Sequence, residues 1–587
     1  MSLWENAPFF TLTSSWASLI MTYRHAQLRT RFRRGRRAGT PSFEPLENRL
    51  ALAAILVGPL SFDVIDLEAV VQDCDDAATT VAIPTTVSDP ATGIVASVTR
   101  IGSSAFASCR NLTSVAIPDS VTSIDIGAFS GCVGLTSITI PGSVDLIANE
   151  VFKGCTALVT ATLGDGVKTI SGTLYGGIPR QPVLLFEGAF SGCTSLTSIA
   201  IPGSVTSVDD DAFEGCSSLA NISVDPENAV YAGFDGILYD KTATSMLWCP
   251  PAKTGSVSIP SSVTRIDALT FAGCTGLTSV TIPGSVKTIS SGAFSGCTGL
   301  QSVAIQPGVA AIDGLRIVGI DFVASMGAFH GCTSLRSVTI PGSVKVIGRG
   351  AFHGCTGLTS VILENGVESI GADDQGIASP TFNIGAFSEC SHVTSVAIPS
   401  SVRSIGWWAF NGCASLSTIT IPAGLRSIGY HAFDGCTGLT SITFAGSPPL
   451  IDGSLGTGIR GVVQYAASNA KWARYAGKTF GGLKTRAIRV ASAPSPPRPT
   501  AESGAVRLSW RAPTTTGGAP VTDYVVQFSR NNGLSWTTFQ DGVSSTTTAT
   551  LRGLASGNRY VFRVAASNFA GQGIFSGKST AIVVKGR

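Results

Sequence analysis

Residues 270–289 read TFAGCTGLTSVTIPGSVKTI, and the same order of residue types returns many times along the 587-residue chain. Cysteine marks the repeats most clearly, because twelve of the 14 cysteines occupy the position that Cys274 holds in this stretch. They are Cys109, Cys132, Cys155, Cys193, Cys216, Cys274, Cys297, Cys332, Cys355, Cys390, Cys413 and Cys436. Seven of the eleven gaps between them are 23 residues, and the longer gaps of 35, 38 and 58 residues indicate inserted loops. The chain is therefore a tandem array rather than a set of independent domains.

Each repeat contains one short strand. In the stretch 277–282 apolar and polar residues alternate, which predicts that Val280 and Ile282 point inward and that Ser279 and Thr281 point outward. Proline follows the strand in nine repeats and suits a strand end, because it has no N–H to donate. The Phe and Cys of FAGC stand three residues apart, as on one tight helical turn. We therefore predict one strand and one irregular return leg per repeat, whose apolar edge is buried only by stacking.

From about Thr79 to Phe444 this pattern resembles the BspA-like leucine-rich repeat family. The resemblance implies a mostly-β leucine-rich-repeat solenoid with about 14 short parallel strands. Residues 224–251 resemble the hairpin-like variant repeat of that family, and residues 446–485 resemble its closing cap. Such a resemblance also implies a secreted or surface protein that binds other molecules.

The C-terminal region alternates short apolar runs with turn signals, which is typical of a β-sandwich. It resembles a fibronectin type III domain. On that resemblance Leu554 and Tyr560 have the spacing of a tyrosine corner, and Trp510 and Val564 belong to the core.

The N-terminal region has the order of a secretion signal. A basic run at residues 24–37 precedes an apolar stretch at residues 50–60, which is too short to span a membrane. The intervening FEPLENRL resembles a secretion motif of some bacterial surface proteins, and a basic arm for nucleic acid is the alternative. We therefore expect removal of this segment near Ala54, no membrane span, and a secreted or cell-surface location.

These observations divide the chain into five segments. They are an export segment at residues 1–54, the solenoid with its N-terminal cap at 55–445, a C-terminal cap at 446–486, a Pro-rich linker at 487–500 and the sandwich at 501–587.

The overall charge disfavours binding to nucleic acid. Charged residues make up 13% of the chain and the formal net charge is +3. Eight Arg and three Glu precede residue 55, which leaves 32 basic and 34 acidic residues, or −2, for the rest. Because phosphate binding needs a basic surface, we expect no nucleic-acid partner.

The residues that carry chemistry form no recognisable site. No C-x-x-C pair exists, so the spacing of a zinc site is absent, and the repeat cysteines are expected to be buried free thiols. Cys74 and Cys249 lie outside the repeat position and are the better candidates for disulfides. His330 and His353 share one repeat position and could stack as a metal pair, but without a third ligand solvated histidines are the favoured interpretation. We predict no catalytic set, no metal, no cofactor and no enzymatic activity.

The surface of the strands is the remaining candidate site. Two outward rows consist almost entirely of Ser, Thr and Ala, and the expected binding surface near the middle of the array is Ser279, Thr281, Ser302, Ser337, Thr339 and Ser360. A purely structural explanation stays open, because hydroxyl side chains suit any solvated sheet. The sequence favours adhesion or protein–protein interaction with surface or matrix proteins. The alternatives are a carbohydrate-binding accessory protein, for which Trp407 and Trp408 are the paired aromatic candidates, and an architectural envelope component.

Overall fold

The computed structural model describes residues 55–586 apart from 66, 91, 172–186, 210, 315, 319–322, 326 and 373–383. The predicted export segment at residues 1–54 lies outside the described residues. What is described is nearly all β, as the repeat pattern predicts.

The stretch LTSVTI and its equivalents form parallel strands in two sheets, one before and one after the variant repeat, which are here together called the long row. Its strands are Thr80–Ala82, Ser114–Ala116, Ser137–Ile140, Thr160–Leu163, Ser198–Ile201, Asn221–Val224, Gly255–Ser258, Leu277–Ile282, Ser302–Ile305, Ser337–Ile340, Ser360–Leu363, Ser395–Ala397, Thr418–Ile421 and Ser441–Phe444. Six of these precede the variant repeat and eight follow it, which confirms the predicted number of about 14.

The return leg is more regular than the sequence suggested, because it contains a second row of parallel strands, here called the short row. Its strands are Val95–Ile101, Ser123–Ile124, Leu146–Ile147, Thr169–Ile170, Ser207–Val208, Arg265–Ile266, Thr288–Ile289, Ala311–Ile312, Val346–Gly348, Ser369–Ala372, Ser404–Ile405, Ser427–Ile428 and Leu450–Ile451. Most contain two residues, which is too short for an alternating pattern to be visible.

Between the two rows the chain makes the tight turn expected for the Phe and Cys of each repeat. In one turn the N–H of Cys297 donates to the carbonyl of Phe294 at 3.3 Å. The next turn is joined to it by backbone bonds, since the N–H of Phe294 donates to the carbonyl of Ala328 at 2.7 Å. The Phe rings stack in register, with centroids of Phe294 and Phe329 separated by 5.0 Å and nearly parallel. Backbone hydrogen bonds and ring stacking therefore both hold each turn to its neighbours.

The variant repeat divides the core into two blocks. It consists of the strands Tyr231–Phe234, Ile237–Asp240 and Ser245–Trp248, which pair antiparallel as the resemblance implied. The buried residues of the first block extend from Ile55 to Leu238, and those of the second from Ile237 to Leu483. Trp248 continues the Phe column across the junction, because its ring lies 5.6 Å from that of Phe213.

Four sets of strands lie outside the repeats. The N-terminal end is formed by Ile55–Val57, Leu60–Ile65, Glu68–Cys74 and Thr86–Ser88, and a small pair by Arg316–Val318 and Val323–Ser325. The C-terminal end is formed by Val462–Ala466, the 3-10 helix Ala470–Tyr475, Thr479–Phe480 and Leu483–Ile488. The sandwich is formed by Arg498–Glu502, Ala505–Ser509, Asp523–Ser529, Thr537–Thr538, Thr548–Arg552, Arg559–Asn568, Gly571–Gln572 and Ile582–Val583.

At the C-terminal end of the array Trp472 closes the core. Its side chain is fully buried, its ring stacks on Tyr465 at 4.9 Å, and its Nε1 donates to the carbonyl of Gly446 at 2.8 Å. The ring also contacts Phe444 of the last long-row strand at 5.2 Å. An indole with its N–H satisfied covers apolar surface that would otherwise meet water.

The sandwich has the predicted core. Trp510 and Val564 are buried, and the Tyr560 hydroxyl accepts a hydrogen bond from the N–H of Ala555 at 3.1 Å, which is the tyrosine corner. The N–H of Arg489 donates to the carbonyl of Gly517 at 2.9 Å, so the segment after Ile488 contacts the sandwich before its first strand begins.

Candidate functional site

The long row brings the predicted surface residues together on four neighbouring strands. Ser279, Ser302, Ser337 and Ser360 pair in one row, and Thr281, Ala304, Thr339 and Ile362 pair in the next. Adjacent strands in a sheet lie about 4.8 Å apart, so the serine hydroxyls of the first row form a regular ladder, whereas the second row alternates hydroxyl and apolar side chains. The side chains between the rows point inward, as expected, and are buried.

Sequence reasoning missed one residue of this surface. Ile362 lies in the second row between Thr339 and Ala397, and the residue is 52% exposed to solvent. Its equivalents in the other repeats are mostly Thr, Ala or Ser. The signal was visible in the stretch Val361–Ile362–Leu363, because the outward position between the two inward residues holds a large apolar side chain, where the other strands have Thr, Ser or Ala.

A second departure from uniformity lies beside Ile362. Arg336 and Glu364 are exposed at the two ends of the same pair of strands. The carboxylate of Glu364 accepts a hydrogen bond from the N–H of Gly342 at 3.1 Å, which fixes its position on the neighbouring turn. The face is therefore a field of small hydroxyl and methyl groups with one apolar side chain and two charges near its middle.

The cysteines form two buried columns. All 14 are buried, and in most turns the thiol donates to the carbonyl of the Phe in the preceding turn, as Cys297 does to Phe271 at 3.0 Å. Cys74 and Cys249, which the sequence set apart, begin the two columns, since Cys109 points to the carbonyl of Cys74 and Cys274 to that of Cys249. The thiol state of the columns stays a prediction. Burial raises the pKa of Cys297 well above its ordinary value, so at neutral pH the group is a poor nucleophile.

His330 and His353 do stack, with ring centroids 5.0 Å apart, but they are half-buried rather than solvated. Burial, with a smaller effect of the neighbouring His330, lowers the pKa of His353 to about 4. The Nδ1 of His353 lies 2.7 Å from the Ser388 hydroxyl, and a hydrogen bond with the backbone of Ser388 partly offsets the lowering of the pKa. Both imidazoles are therefore neutral at physiological pH. Across the described part of the chain no group of three or more His, Cys, Asp or Glu is placed to hold a metal ion.

The paired tryptophans do not form an open platform. Trp408 is only 6% exposed and packs edge-on against Tyr430 at 5.8 Å, while Trp407 is half-buried. His431 stacks on Tyr430 at 3.8 Å and completes the cluster. These rings lie at the corner before the Phe turn, away from the long row. The cluster therefore explains local packing between two turns and adds nothing to the hydroxyl rows.

The repeats and the sandwich match known families. Residues 91–179, 177–233, 250–314, 324–373 and 380–453 match the family model described as BspA type leucine rich repeat region, in six copies. These matches cover more than half of the 587 residues, so the chain belongs to the family of BspA-type leucine-rich repeat proteins. Residues 492–582 match the fibronectin type III domain. Both families are typically non-catalytic, and leucine-rich repeat proteins generally bind other proteins.

Solved structures with the same architecture include two bacterial proteins. A leucine-rich repeat protein from Bacteroides ovatus is 24% identical, with a TM-score of 0.49, over 74% of this chain and 99% of that one. A leucine rich cell surface protein from Faecalibacterium prausnitzii is 24% identical, with a TM-score of 0.37, over 67% of this chain and 95% of that one.

Curated relatives match a short part of the chain. The Titin homolog of Caenorhabditis elegans is 39% identical over 102 residues, which are 17% of this chain and 0% of that protein to the nearest percent. Cardiac-type myosin-binding protein C of Gallus gallus is 33% identical over 67 residues, or 11% of this chain and 5% of that protein. The chain thus spans a very small fraction of these relatives.

No helix in the described ranges is both long and apolar enough to cross a membrane.

Proposed function

We propose that this is an exported, non-enzymatic surface protein that mediates adhesion by holding a partner protein on the outward face of the long row. In this proposal residues 1–54 direct export, residues 55–445 and their cap at 446–486 present the binding face, and the segment predicted as a linker at 487–500 leads into the sandwich predicted at 501–587, whose first strand begins at Arg498. The proposed contact residues are the six expected from the sequence, Ser279, Thr281, Ser302, Ser337, Thr339 and Ser360, together with Ile362.

One observation carries the proposal: Ile362 is exposed in the second of two rows of small polar and methyl side chains, between Thr339 and Ala397. Interfaces derive most of their affinity from a few large side chains surrounded by near-neutral contacts that exclude water. The backbone pairing holds Thr339 and Ala397 on either side of Ile362, so little side-chain entropy is lost when a partner covers the face. A partner with a shallow apolar depression rimmed by hydrogen-bond donors and acceptors fits this arrangement.

The two alternatives have less support. Binding of neutral glycans usually uses aromatic rings, and none of the outward residues from Ser137 to Thr443 on the long row is aromatic. A purely architectural role leaves Ile362 without a reason, because Thr or Ala at that position would keep the sheet equally well solvated.

The test is adhesion of the full chain to cells or matrix after replacing Thr281 and Thr339 together by Lys. Both side chains point away from the core, so the fold should be kept while binding weakens at least tenfold. The matched control replaces Thr298 and Thr333 by Lys, since these exposed threonines lie on the turns preceding two strands of the same face. Equal adhesion of the two double variants and the parent chain would contradict the proposal. If deletion of residues 495–587 then abolished adhesion, the sandwich would be the binding module.

A further inference from the structure

The charge of the chain is divided between its two parts. Residues 55–445 contain 15 Lys and Arg against 30 Asp and Glu, whereas residues 446–587 contain 17 against 4. The first region therefore carries −15 and the second +13. The value of −2 for residues 55–587 is the sum of these opposite charges, so it does not describe the surface that either region presents. The C-terminal region has the charge that an anionic ligand requires.

Part of this positive charge is arranged on one face of the sandwich. Arg498, Arg507 and Arg552 are exposed and lie on the three neighbouring strands Arg498–Glu502, Ala505–Ser509 and Thr548–Arg552. The register pairs Arg498 with Ser509, Arg507 with Thr500 and Thr550, and Arg552 with Ala505. Successive arginines are thus diagonal neighbours, which are separated by about 7–8 Å in an antiparallel sheet. The three guanidinium groups form a diagonal line across the face, here called the arginine row.

The arginine row is not neutralised by the protein. Among the described residues after Asp434 no salt bridge is formed, although the region is rich in Lys and Arg. Glu502 is the one acidic residue of the three strands; it lies opposite Ala505 and is a diagonal neighbour of Arg507, but it forms no ion pair with it, so one acidic group faces three arginines. Three exposed arginines on diagonally neighbouring positions attract counterions, which a polyanion would release on binding.

We propose that the arginine row binds a linear acidic polysaccharide. Arginine presents a planar fork that matches a carboxylate or sulfate group, and a linear polymer with acid groups at regular intervals can meet successive guanidiniums. The residues between them, Thr500, Ser509, Thr548 and Thr550, offer hydroxyls for the sugar. Single-stranded nucleic acid is disfavoured, because the three strands carry no aromatic ring on which bases could stack. This site is independent of the long row.

The experiment measures binding of the full chain to immobilised heparin across a range of salt concentrations. Replacing Arg498, Arg507 and Arg552 together by Gln should weaken binding at least tenfold in low salt. Three lost contacts should also reduce the slope of log Kd against log salt by about 2, at roughly 0.7 per contact. The corresponding triple Lys variant keeps the charges but loses the planar forks, so it should keep the salt slope of the parent chain and bind heparin more weakly than that chain.

A second triple variant controls for net charge. Replacing Lys241, Lys287 and Arg426 by Gln removes the same charge from exposed sites of the solenoid and should leave heparin binding unchanged. All the substituted side chains are exposed, so thermal unfolding should be unaltered, and the single Arg507→Gln variant serves if the triple variant is unstable.

Three results would overturn the proposal. The first is heparin binding that the Gln substitutions in the arginine row do not change, and the second is no heparin binding at low salt. The third is tighter binding to single-stranded oligothymidine of equal charge, or self-association of the chain at micromolar concentration that the Gln substitutions abolish. That third result would assign the arginine row to nucleic acid or to the acidic region of another copy.

Discussion

Replacing Phe329 by Ala should destabilise the second core block strongly. The Phe329 ring is fully buried and stacks against Phe294 and Phe352, each with a centroid distance of 5.0 Å. Truncation of a buried Phe to Ala costs about 3–5 kcal/mol, and each lost ring contact is worth about 0.5–1.5 kcal/mol beyond the buried area. Because part of the ring contribution is already contained in the first figure, we expect a loss of about 4–6 kcal/mol.

The assay is denaturant unfolding followed by tryptophan fluorescence. Trp407, Trp408 and Trp472 report on the second block, Trp248 on its junction with the first block, and Trp510 and Trp536 on the sandwich, whereas residues 55–224 contain no tryptophan. In a solenoid each turn contacts only its neighbours, so circular dichroism should show that the first block retains its stability. Thr333→Ala, which changes an exposed residue four positions away, should alter stability by less than about 0.5 kcal/mol. A loss below 1 kcal/mol for Phe329→Ala would refute the stacked column as a main source of stability.

Three further predictions concern the thiols, a histidine and the sandwich. The cysteines should react slowly with a thiol reagent in native protein and fully after denaturation, because burial raises the pKa of groups such as Cys297. Detection of six or seven disulfides by mass spectrometry would contradict this prediction. Because the pKa of His353 is lowered to about 4 in the folded protein, stability should be complete above the unfolded-state pKa of about 6.5 and fall as pH drops toward 4. His353→Gln should flatten this decline in urea midpoints measured between pH 7 and 4.5; an unchanged slope would show that other groups cause it. Tyr560→Phe should destabilise the sandwich by about 1 kcal/mol through loss of the corner hydrogen bond, as measured by thermal unfolding, and no loss would mean that the bond contributes nothing net.

The repeat period made much of this fold predictable. The 23-residue spacing of cysteine and the inward positions of Val280 and Ile282 are local patterns. In the structure the repeat cysteines, Val280 and Ile282 are all buried. The tyrosine corner could be predicted because its two residues stand at a fixed separation. Stacking of identical units then determines which residues share a row, so the placement of Ser279 beside Ser302 required no further information.

The remaining features depend on properties that a repeat pattern does not contain. The short row was missed because two-residue strands such as Thr288–Ile289 have no periodicity and form only through pairing with neighbouring turns. Cys249 was not assigned to the repeat position, because the sequence around it in the variant repeat differs from the other repeats. In the structure it lies next to Cys274 at the start of the second cysteine column. Ile362 and the arginine row were missed for a common reason. Both are departures from an average, and averaging over repeats or over the whole chain removes them.

The most direct test of the proposed binding face is site-specific photo-crosslinking from position 362. A variant of the full chain with a photo-reactive amino acid in place of Ile362 would be irradiated during adhesion. The control variant carries the same amino acid in place of Thr298, on the turn that precedes a strand of the same face. If the long row is the binding face, we expect a covalent adduct with a protein of the cell or matrix surface at position 362 and none at position 298. Adhesion that persists with no adduct at position 362, or with equal adducts at both positions, would contradict it.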